Sequence, residues 1–269
     1  QHPRGTTPIV IGAGAFDATQ SEMANWLLGK RAFVITSDRI LALHSDVLAR
    51  WAPLASNGFE VLEVPDGESA KTLAVAGDLW NRLLAGGGKR DSRILAFGGG
   101  SVGDLAGFVA GGFLRGVEFA QVPTTLLAQV DAAIGGKTGV DLPLGKNTVG
   151  LFHHPRFVIA DVSVLATLPR AELREGLVEA IKMAALLDVE LLSRIERDLP
   201  KLLHGDPEAL GPVAAAAAAA KVAVVERDPE ETGERRLLNF GHTLGHALEA
   251  AGGYGAPRHG EAVAHGLLF

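Results

Sequence analysis

Three histidines and a glutamate in the second half of the chain have the types and spacings of divalent-metal ligands. His242 and His246 stand four residues apart, so both lie on one face if the segment is helical. His259 follows in a His-Gly-Glu sequence, and Glu179 lies upstream with Lys182 three residues after it. Imidazole and carboxylate ligands in this combination favour zinc. Structural histidines are the alternative, and the residues alone leave it open.

A second candidate site is a run of three glycines at residues 98–100, which follows a predicted strand and opens a predicted helix near Ser101. Backbone N–H groups at such a helix start bind pyrophosphate, and glycines let the ligand approach closely. A purely structural turn needs fewer glycines, so the run favours a phosphate or dinucleotide. Residues 9–14 have a similar beginning, but Asp17 replaces the third glycine of a dinucleotide fingerprint. We interpret them as a plain turn.

Two further lysines lie in predicted glycine-rich loops, in Gly136-Lys137 and Gly145-Lys146. Neither belongs to a P-loop, because Asp131 and Val140 occupy the position of the required earlier glycine. Solvated lysines are the simple interpretation, and lysines that bind an anion are the functional one.

The predicted secondary structure that positions these residues changes near residue 166, from alternating strands and helices to helices alone. The first part alternates apolar and helix-forming stretches, typical of a mostly parallel sheet covered by helices. Its predicted strands are 8–11, 31–36, 59–64, 93–97, 119–122 and 157–160, and its predicted helices are 21–28, 41–51, 70–85 and 102–110. The second part is predicted to be helical at 172–187, 189–203, 207–227, 237–251 and 261–269. We therefore predict an α/β domain over 1–166 and an all-α domain over 167–269.

Composition narrows the classes of function. The 269 residues carry a formal charge of −6 without a basic block, so we expect no nucleic-acid partner. With 47% hydrophobic residues the chain can form a large core, and with no cysteine it has no disulfide or thiolate chemistry. No uninterrupted apolar run reaches about 18 residues, and residues 1–7 are polar. We expect a cytoplasmic protein without a membrane partner. Because the chain ends on an uncapped Leu267-Leu268-Phe269, we also expect a longer gene product.

Seven stretches, in order and with similar spacing, resemble the 3-dehydroquinate synthase family of sugar-phosphate cyclases. They are PDGESAKT, GGGSVGDLAGFVAGGFLRG, VPTTLLAQVDAAIGGKTGVD, GKNTVGLFHHP, TLPRAELREGLVEAIK, RRLLNFGHTLGHALEA and RHGEAVAHG. The resemblance implies a Rossmann-like NAD-binding domain followed by a helical metal- and substrate-binding domain whose last part is missing from this sequence. It covers about residues 65 to 266.

The resemblance also implies a reaction. A lyase of this family converts 3-deoxy-D-arabino-heptulosonate 7-phosphate to 3-dehydroquinate and phosphate. NAD oxidises a hydroxyl transiently, phosphate leaves by β-elimination, the ketone is reduced again, and an intramolecular aldol closes the ring. The implied cofactors are NAD and a divalent metal, zinc or cobalt in its place, and the implied assembly is a homodimer.

Site residues carried over from the family fall into four groups. The metal ligands correspond to Glu179, His242 and His259. The cofactor-binding positions correspond to Glu68, Lys71, Gly99, Gly100, Asp104, Thr124, Thr125, Lys146 and Thr167. The substrate-binding and catalytic positions correspond to Asp131, Lys137, Lys146, Asn147, Lys182, Lys221, Arg235, Asn239 and His246. Arg115 corresponds to an arginine that reaches the phosphate site of the neighbouring subunit.

Two departures from the family pattern stand out. Ser37-Asp38 occupies the place of an acidic or amide side chain near the adenosine ribose, and the family's later helices carry a further lysine that binds the substrate phosphate. Three alternatives stay open: another sugar-phosphate cyclase, a metal-dependent NAD alcohol dehydrogenase of the glycerol dehydrogenase type, and a catalytically inactive scaffold. The loop at 131–138 favours the synthase over other cyclases.

Overall fold

The computed structural model describes residues 5–252 and 257–269. A six-stranded parallel sheet lies at the centre of the fold. Its strands are β1 (Ile9–Gly12), β2 (Ala32–Ser37), β3 (Phe59–Val64), β4 (Arg93–Gly98), β5 (Glu118–Pro123) and β8 (Val158–Asp161). Their order across the sheet is β1-β8-β5-β4-β2-β3. Each lies within one residue of its predicted bounds, because buried parallel strands form short continuous apolar runs. Residues 1–4, part of the polar start noted above, lie outside the described residues.

Helices cover both faces of this sheet. They are α1 (Ala15–Ala18), α2 (Gln20–Leu27), α3 (Asp38–Trp51), α4 (Leu73–Ala85) and α5 (Gly100–Gly112). Alternate residues of β2 point to opposite faces: Phe33 belongs to the core under α4 and α5, and Val34 to the core under α2 and α3. The two cores hold the sheet, so the carboxyl ends of its strands form a rigid edge.

A two-stranded antiparallel hairpin was not predicted. Its strands are β6 (Lys137–Leu142) and β7 (Gly145–Phe152), and it packs against α5. The sequence interpretation placed both lysines in glycine-rich loops, whereas Lys137 begins β6 and Lys146 lies in β7. Glycine and polar residues interrupt the apolar pattern there, and more than half of β7 is exposed, so the usual strand signal is absent.

The second part of the chain is helical, as predicted. It contains α6 (Arg170–Leu187), α7 (Val189–His204), α8 (Pro207–Arg227), α9 (His242–Ala251) and α10 (His259–Leu268). The single helix expected over 237–251 is wrong: a 3₁₀ segment (Glu234–Asn239) precedes α9, and Gly241 between them has a left-handed φ of 79°. That conformation ends the first segment and lets α9 start at His242 in a new direction.

The predicted boundary at 166 coincides with the last change from strand to helix, and the division into two domains stays an interpretation. Leu126 and Val162 belong to the first part, yet they pack in one core with Leu173 and Leu177 of α6. Among the described helices, α8 has the length and apolar composition of a membrane-crossing segment, with 44% of the relevant window buried. A core helix meets the same test, and this one packs against α6 and α7.

The close contact between α5 and the hairpin gives a stability test. A Cβ at Gly107 would collide with Thr138 and lie 3.1 Å from Phe119, so Gly107→Ala should destabilise the fold by about 1–3 kcal/mol. Gly77→Ala is the matched control, because it also lies within a helix but has no atom within 4 Å of the added Cβ. It should be neutral or stabilising by up to about 1 kcal/mol. Urea unfolding measures both, and equal effects would contradict the packing described here.

Candidate active site at the carboxyl edge of the sheet

The predicted metal ligands converge in the structure. Glu179 lies in the middle of α6, and His242 and His259 are the first residues of α9 and α10. Glu179 Oε1 is 3.9 Å from Nε2 of both histidines, and the three ligand atoms all lie within 4.8 Å of one another. These distances are too long for hydrogen bonds and suit ligands that share one cation. Gly260 permits this arrangement, because a Cβ there would lie 2.5 Å from Glu175 Cα on α6.

The hydrogen bonds of both imidazoles leave Nε2 available. The Nδ1 atom of His242 is 3.2 Å from the carbonyl oxygen of Phe240, and Nδ1 of His259 is 3.5 Å from Oε1 of the buried Glu249. Partners of this kind fix the tautomer of a metal-binding histidine. Burial, followed by the charge of Lys182, lowers the pKa of His242 to about 4, so its imidazole is neutral at pH 7. A neutral imidazole is the form that binds a metal ion.

The charge of Glu179 also calls for a cation. Its carboxylate is fully buried, burial together with the charge of Asp131 raises its pKa, and Oε1 accepts no hydrogen bond from any residue between 5–252 or 257–269. Lys182 Nζ lies 2.5 Å from Oε2, which compensates one side of the carboxylate only. An unpaired buried carboxylate oxygen is costly, so the donor set fits a divalent metal ion.

A cluster of cations adjoins these ligands. Lys221 of α8 donates to Asp131 Oδ1 at 2.6 Å, and Lys137 forms an ion pair with Glu231. Arg235 differs: it is 2% exposed and donates to the carbonyl oxygens of Gly135 and Pro229, with no ion pair to any described carboxylate. A buried guanidinium without a carboxylate partner suits an anionic ligand.

Three acidic residues near the metal-ligand and cation clusters were not predicted from the sequence. Glu231 (φ 57°) accepts from Asn239 as well as contacting Lys137, and Glu249 lies 3.4 Å from Lys146 Nζ. Asp228 accepts from the backbone amides of Thr232, Gly233 and Arg235. Burial alone would raise the pKa of Asp228, but these bonds lower it to about 2. Glu249 lies within the family-like stretch RRLLNFGHTLGHALEA, so the sequence could have indicated it as a site residue. Glu231 and Asp228 lie in no such stretch, and the sequence gave no reason to select them.

The predicted cofactor residues line the same edge of the sheet. Gly99 is the N-cap of α5 in extended conformation, without a side-chain cap, so the first amides of α5 are available to a ligand. Thr125, at the end of β5, packs 3.1 Å from the position of a Gly99 Cβ. Thr124 Oγ1 is buried without a hydrogen-bond partner among the described residues. This edge, with exposed amides and an unpaired hydroxyl, fits a pyrophosphate-containing cofactor.

Hydrogen bonds connect several other predicted cofactor and substrate residues to one another or to neighbouring elements. Lys71 is 3% exposed, and its Nζ donates to Asp104 at 2.9 Å and to Asn147 Oδ1 at 2.5 Å. Glu68 accepts from Ser101 on α5. These bonds link the segment before α4 to the start of α5 and to the hairpin.

The remaining predicted residues lie around this edge with one exception. The ring of His246 is 5.3 Å from that of His242, one turn along α9, and Thr167 bonds to His44 at 3.0 Å. Arg115 is not brought to the site of its own chain, because it follows the far end of α5 from Gly100. A 13-residue helix places these ends roughly 18 Å apart.

Comparisons with solved structures show the class of protein to which this fold belongs. The structure superposes on ValA, a 2-epi-5-epi-valiolone synthase from Streptomyces hygroscopicus subsp. jinggangensis 5008 with NAD+ and Zn2+ bound, with TM-score 0.89 and 28% identity over 99% of this chain and 74% of that one. A 2-deoxy-scyllo-inosose synthase with carbaglucose-6-phosphate, NAD+ and Co2+ matches with TM-score 0.85 and 30% identity over 97% and 70%. The fold is that of the sugar-phosphate cyclases, and both of these matched structures contain NAD+ and a divalent metal.

The family follows from the sequence comparisons. Family models for the N-terminal and C-terminal parts of 3-dehydroquinate synthase match residues 61–175 and 176–269. A 3-dehydroquinate synthase from Geobacter metallireducens is 45% identical over 98% of this chain and 72% of its own length, and one from Symbiobacterium thermophilum is 46% identical over 97% and 73%. The chain belongs to the 3-dehydroquinate synthase family. An iron-containing alcohol dehydrogenase from Thermotoga maritima, at 18% identity and TM-score 0.70, shares the fold alone.

The ligand cluster gives a direct test. Glu179→Gln removes the buried charge without changing the side-chain volume, so the purified variant should retain little or no zinc after dialysis. The control is His265→Ala, since His265 is an exposed residue of α10 outside the cluster. It should retain zinc like the unaltered protein. Elemental analysis measures both, and a full equivalent of zinc in Glu179→Gln would contradict the assignment.

Proposed function

We propose that this chain catalyses the synthase reaction of its family, the conversion of 3-deoxy-D-arabino-heptulosonate 7-phosphate to 3-dehydroquinate and phosphate. It would thus be a lyase that uses NAD catalytically and a divalent metal, and it would act in the cytoplasm. The observation that carries the proposal is that the metal-ligand cluster and the cation cluster are in contact, through Lys182 and Glu179. The 41–48% identity to 3-dehydroquinate synthases, against 28–31% to the other cyclases, favours this reaction over theirs.

The charges of the pocket suit this substrate, which carries a phosphate and a carboxylate. Arg235 and the lysines 137, 182 and 221 supply positive charge in a largely buried region. Each of these lysines already has a carboxylate partner: Glu231 for Lys137, Glu179 for Lys182 and Asp131 for Lys221. An incoming anion therefore has to share these cations with the carboxylates. Arg235 has no carboxylate partner among the described residues, and we assign it to the first contact with an anionic group of the substrate.

Glu179, His242 and His259 would hold the metal, and the turn at 98–100 would hold the pyrophosphate of NAD. When bound, the metal lowers the pKa of a coordinated hydroxyl, and NAD accepts and returns a hydride. The chain's own residues orient the substrate and move protons. We assign to Lys182, which pairs with Glu179, the stabilisation of negative charge on the oxygen of the oxidised carbon. We assign to His246, one turn from His242 on α9, the role of proton carrier.

A single assay separates this function from its alternatives. The zinc- and NAD-loaded protein should release phosphate from the heptulosonate phosphate with no net NADH, because the hydride returns to the substrate. A chelator should stop the release, and added zinc should restore it. Net NADH formation from an alcohol would instead support a dehydrogenase, and bound zinc without phosphate release would support a scaffold.

We propose further that the protein acts as a homodimer in which Arg115 completes the partner's site. Leu114 and Arg115 are both exposed and have positive φ angles of 49° and 67°. Close by, Leu151 of the hairpin lies next to Gly111 and is 41% exposed. An apolar surface beside an arginine held in an unusual conformation is suited to an interface.

Mixed dimers test this assembly. Arg115→Ala and Glu179→Gln should each be inactive alone. In a dimer of one of each, the chain with intact Glu179 would receive Arg115 from its partner, so refolding an equal mixture should restore about a quarter of the unaltered activity. Activity that stays absent in verified mixed dimers would mean that Arg115 acts within its own chain.

A further inference from the structure

Glu249 is a buried carboxylate of α9 that contacts two different parts of the site. Its Oε1 is 3.5 Å from Nδ1 of His259, the first residue of α10. The same oxygen is 3.4 Å from Nζ of Lys146 on β7. One carboxylate oxygen is thus shared between a predicted metal ligand and a predicted cofactor residue.

The imidazole of His259 lies between two buried carboxylates. Its Nε2 is 3.9 Å from Glu179 in the metal-ligand cluster, and its Nδ1 faces Glu249. If Nε2 binds the metal ion, Nδ1 carries the ring proton and Glu249 is placed to accept it in a hydrogen bond. A partner of this kind sets the orientation of a metal-binding histidine, and its loss usually weakens metal binding.

Lys146 extends these contacts towards the cofactor edge of the sheet. Its Nζ is 3.9 Å from Oε1 of Glu68, and the other carboxylate oxygen of Glu68 accepts from Ser101 at the start of α5. Polar and charged side chains therefore connect His259 to the helix start that is assigned to the pyrophosphate. No contact in this series is longer than 3.9 Å.

The sharing of Glu249 gives a physical reason for the two sites to influence each other. Lys146 has a long side chain on a strand that is more than half exposed, so its position depends on the carboxylates that it contacts. A metal ion would fix the ring of His259, the ring would fix Glu249, and the fixed carboxylate would hold Lys146 at the cofactor edge. When one ligand orders a group that a second ligand needs, the first favours the binding of the second.

We propose that Glu249 is a positioning residue that orients His259 for the metal and Lys146 for the cofactor, and thereby couples the binding of the two. The inference rests on the proposed use of NAD and a divalent metal, and it gives a role to a residue that binds neither. Because coupling between two ligands is reciprocal, zinc raises the affinity for NAD+ by the same factor as NAD+ raises the affinity for zinc.

A thermodynamic cycle on the full chain tests the proposal. Isothermal titration measures NAD+ binding to the metal-free and zinc-loaded protein, and competition with a chromophoric chelator measures zinc binding with and without NAD+. In the unaltered protein, each ligand should raise the affinity for the other about fivefold or more. In Glu249→Gln this factor should fall to about one, and zinc should bind roughly tenfold to hundredfold more weakly.

Two further variants isolate the contacts of Glu249. Lys146→Gln removes the contact on the cofactor side, so it should abolish the coupling while zinc alone binds as tightly as it does to the unaltered protein. Glu196→Gln is the matched control, because Glu196 is an exposed glutamate of α7 outside the site. It should change neither the zinc affinity nor the coupling.

Cobalt in place of zinc supplies a readout that a general loss of stability would not change. The visible spectrum of bound cobalt reports the geometry of its ligands. It should change in Glu249→Gln, where His259 loses its partner, and stay the same in Lys146→Gln and Glu196→Gln. The melting temperature of each variant checks that the fold is retained, and Lys146→Gln tests the coupling even if Glu249→Gln does not fold.

The outcomes separate this inference from the proposed function. An effect of zinc on NAD+ affinity that persists in Glu249→Gln or Lys146→Gln, or that is absent from the unaltered protein, would overturn the coupling. Unchanged zinc affinity and an unchanged cobalt spectrum in Glu249→Gln would overturn the orienting role towards His259. These results would leave the synthase function intact, since phosphate release by the loaded, unaltered protein tests it separately. Absence of zinc or NAD+ binding to the unaltered protein would overturn both.

Discussion

The burial of one carboxylate dictates the architecture of the active site. Glu179 is fully buried on α6, and two imidazole nitrogens lie 3.9 Å from its Oε1. A buried charge is tolerated only when opposite charge or hydrogen bonds surround it, and Lys182 supplies part of that compensation. The starts of α9 and α10 converge on this carboxylate, so a cation at the same point would join three helices.

The need to compensate buried charge also applies to the cation cluster next to the predicted metal ligands. Lys221 with Asp131, and Lys137 with Glu231, pair their charges inside the pocket, and Arg235 stays without a partner among the described carboxylates. The protein thus presents one buried positive charge and two ion pairs beside the predicted metal ligands. This distribution explains how a chain of formal charge −6 can offer a site for a substrate that carries a phosphate and a carboxylate.

The sequence predicted the features that local patterns encode. Six buried strands, the helix after the glycine run and the grouping of Glu179, His242 and His259 all follow from apolar runs, spacing and family motifs. The β6–β7 hairpin, the break at Gly241 and the position of Glu231 were not predicted, because they depend on backbone conformation and on contacts between distant segments.

Thermal unfolding with and without zinc tests the central claim most directly. If the buried carboxylate of Glu179 requires a cation, zinc should raise the melting temperature of the unaltered chain. Glu179→Gln removes that carboxylate, so its melting temperature should not respond to zinc, whatever its value without metal. A Glu179→Gln variant that gains as much from zinc as the unaltered chain would contradict the account.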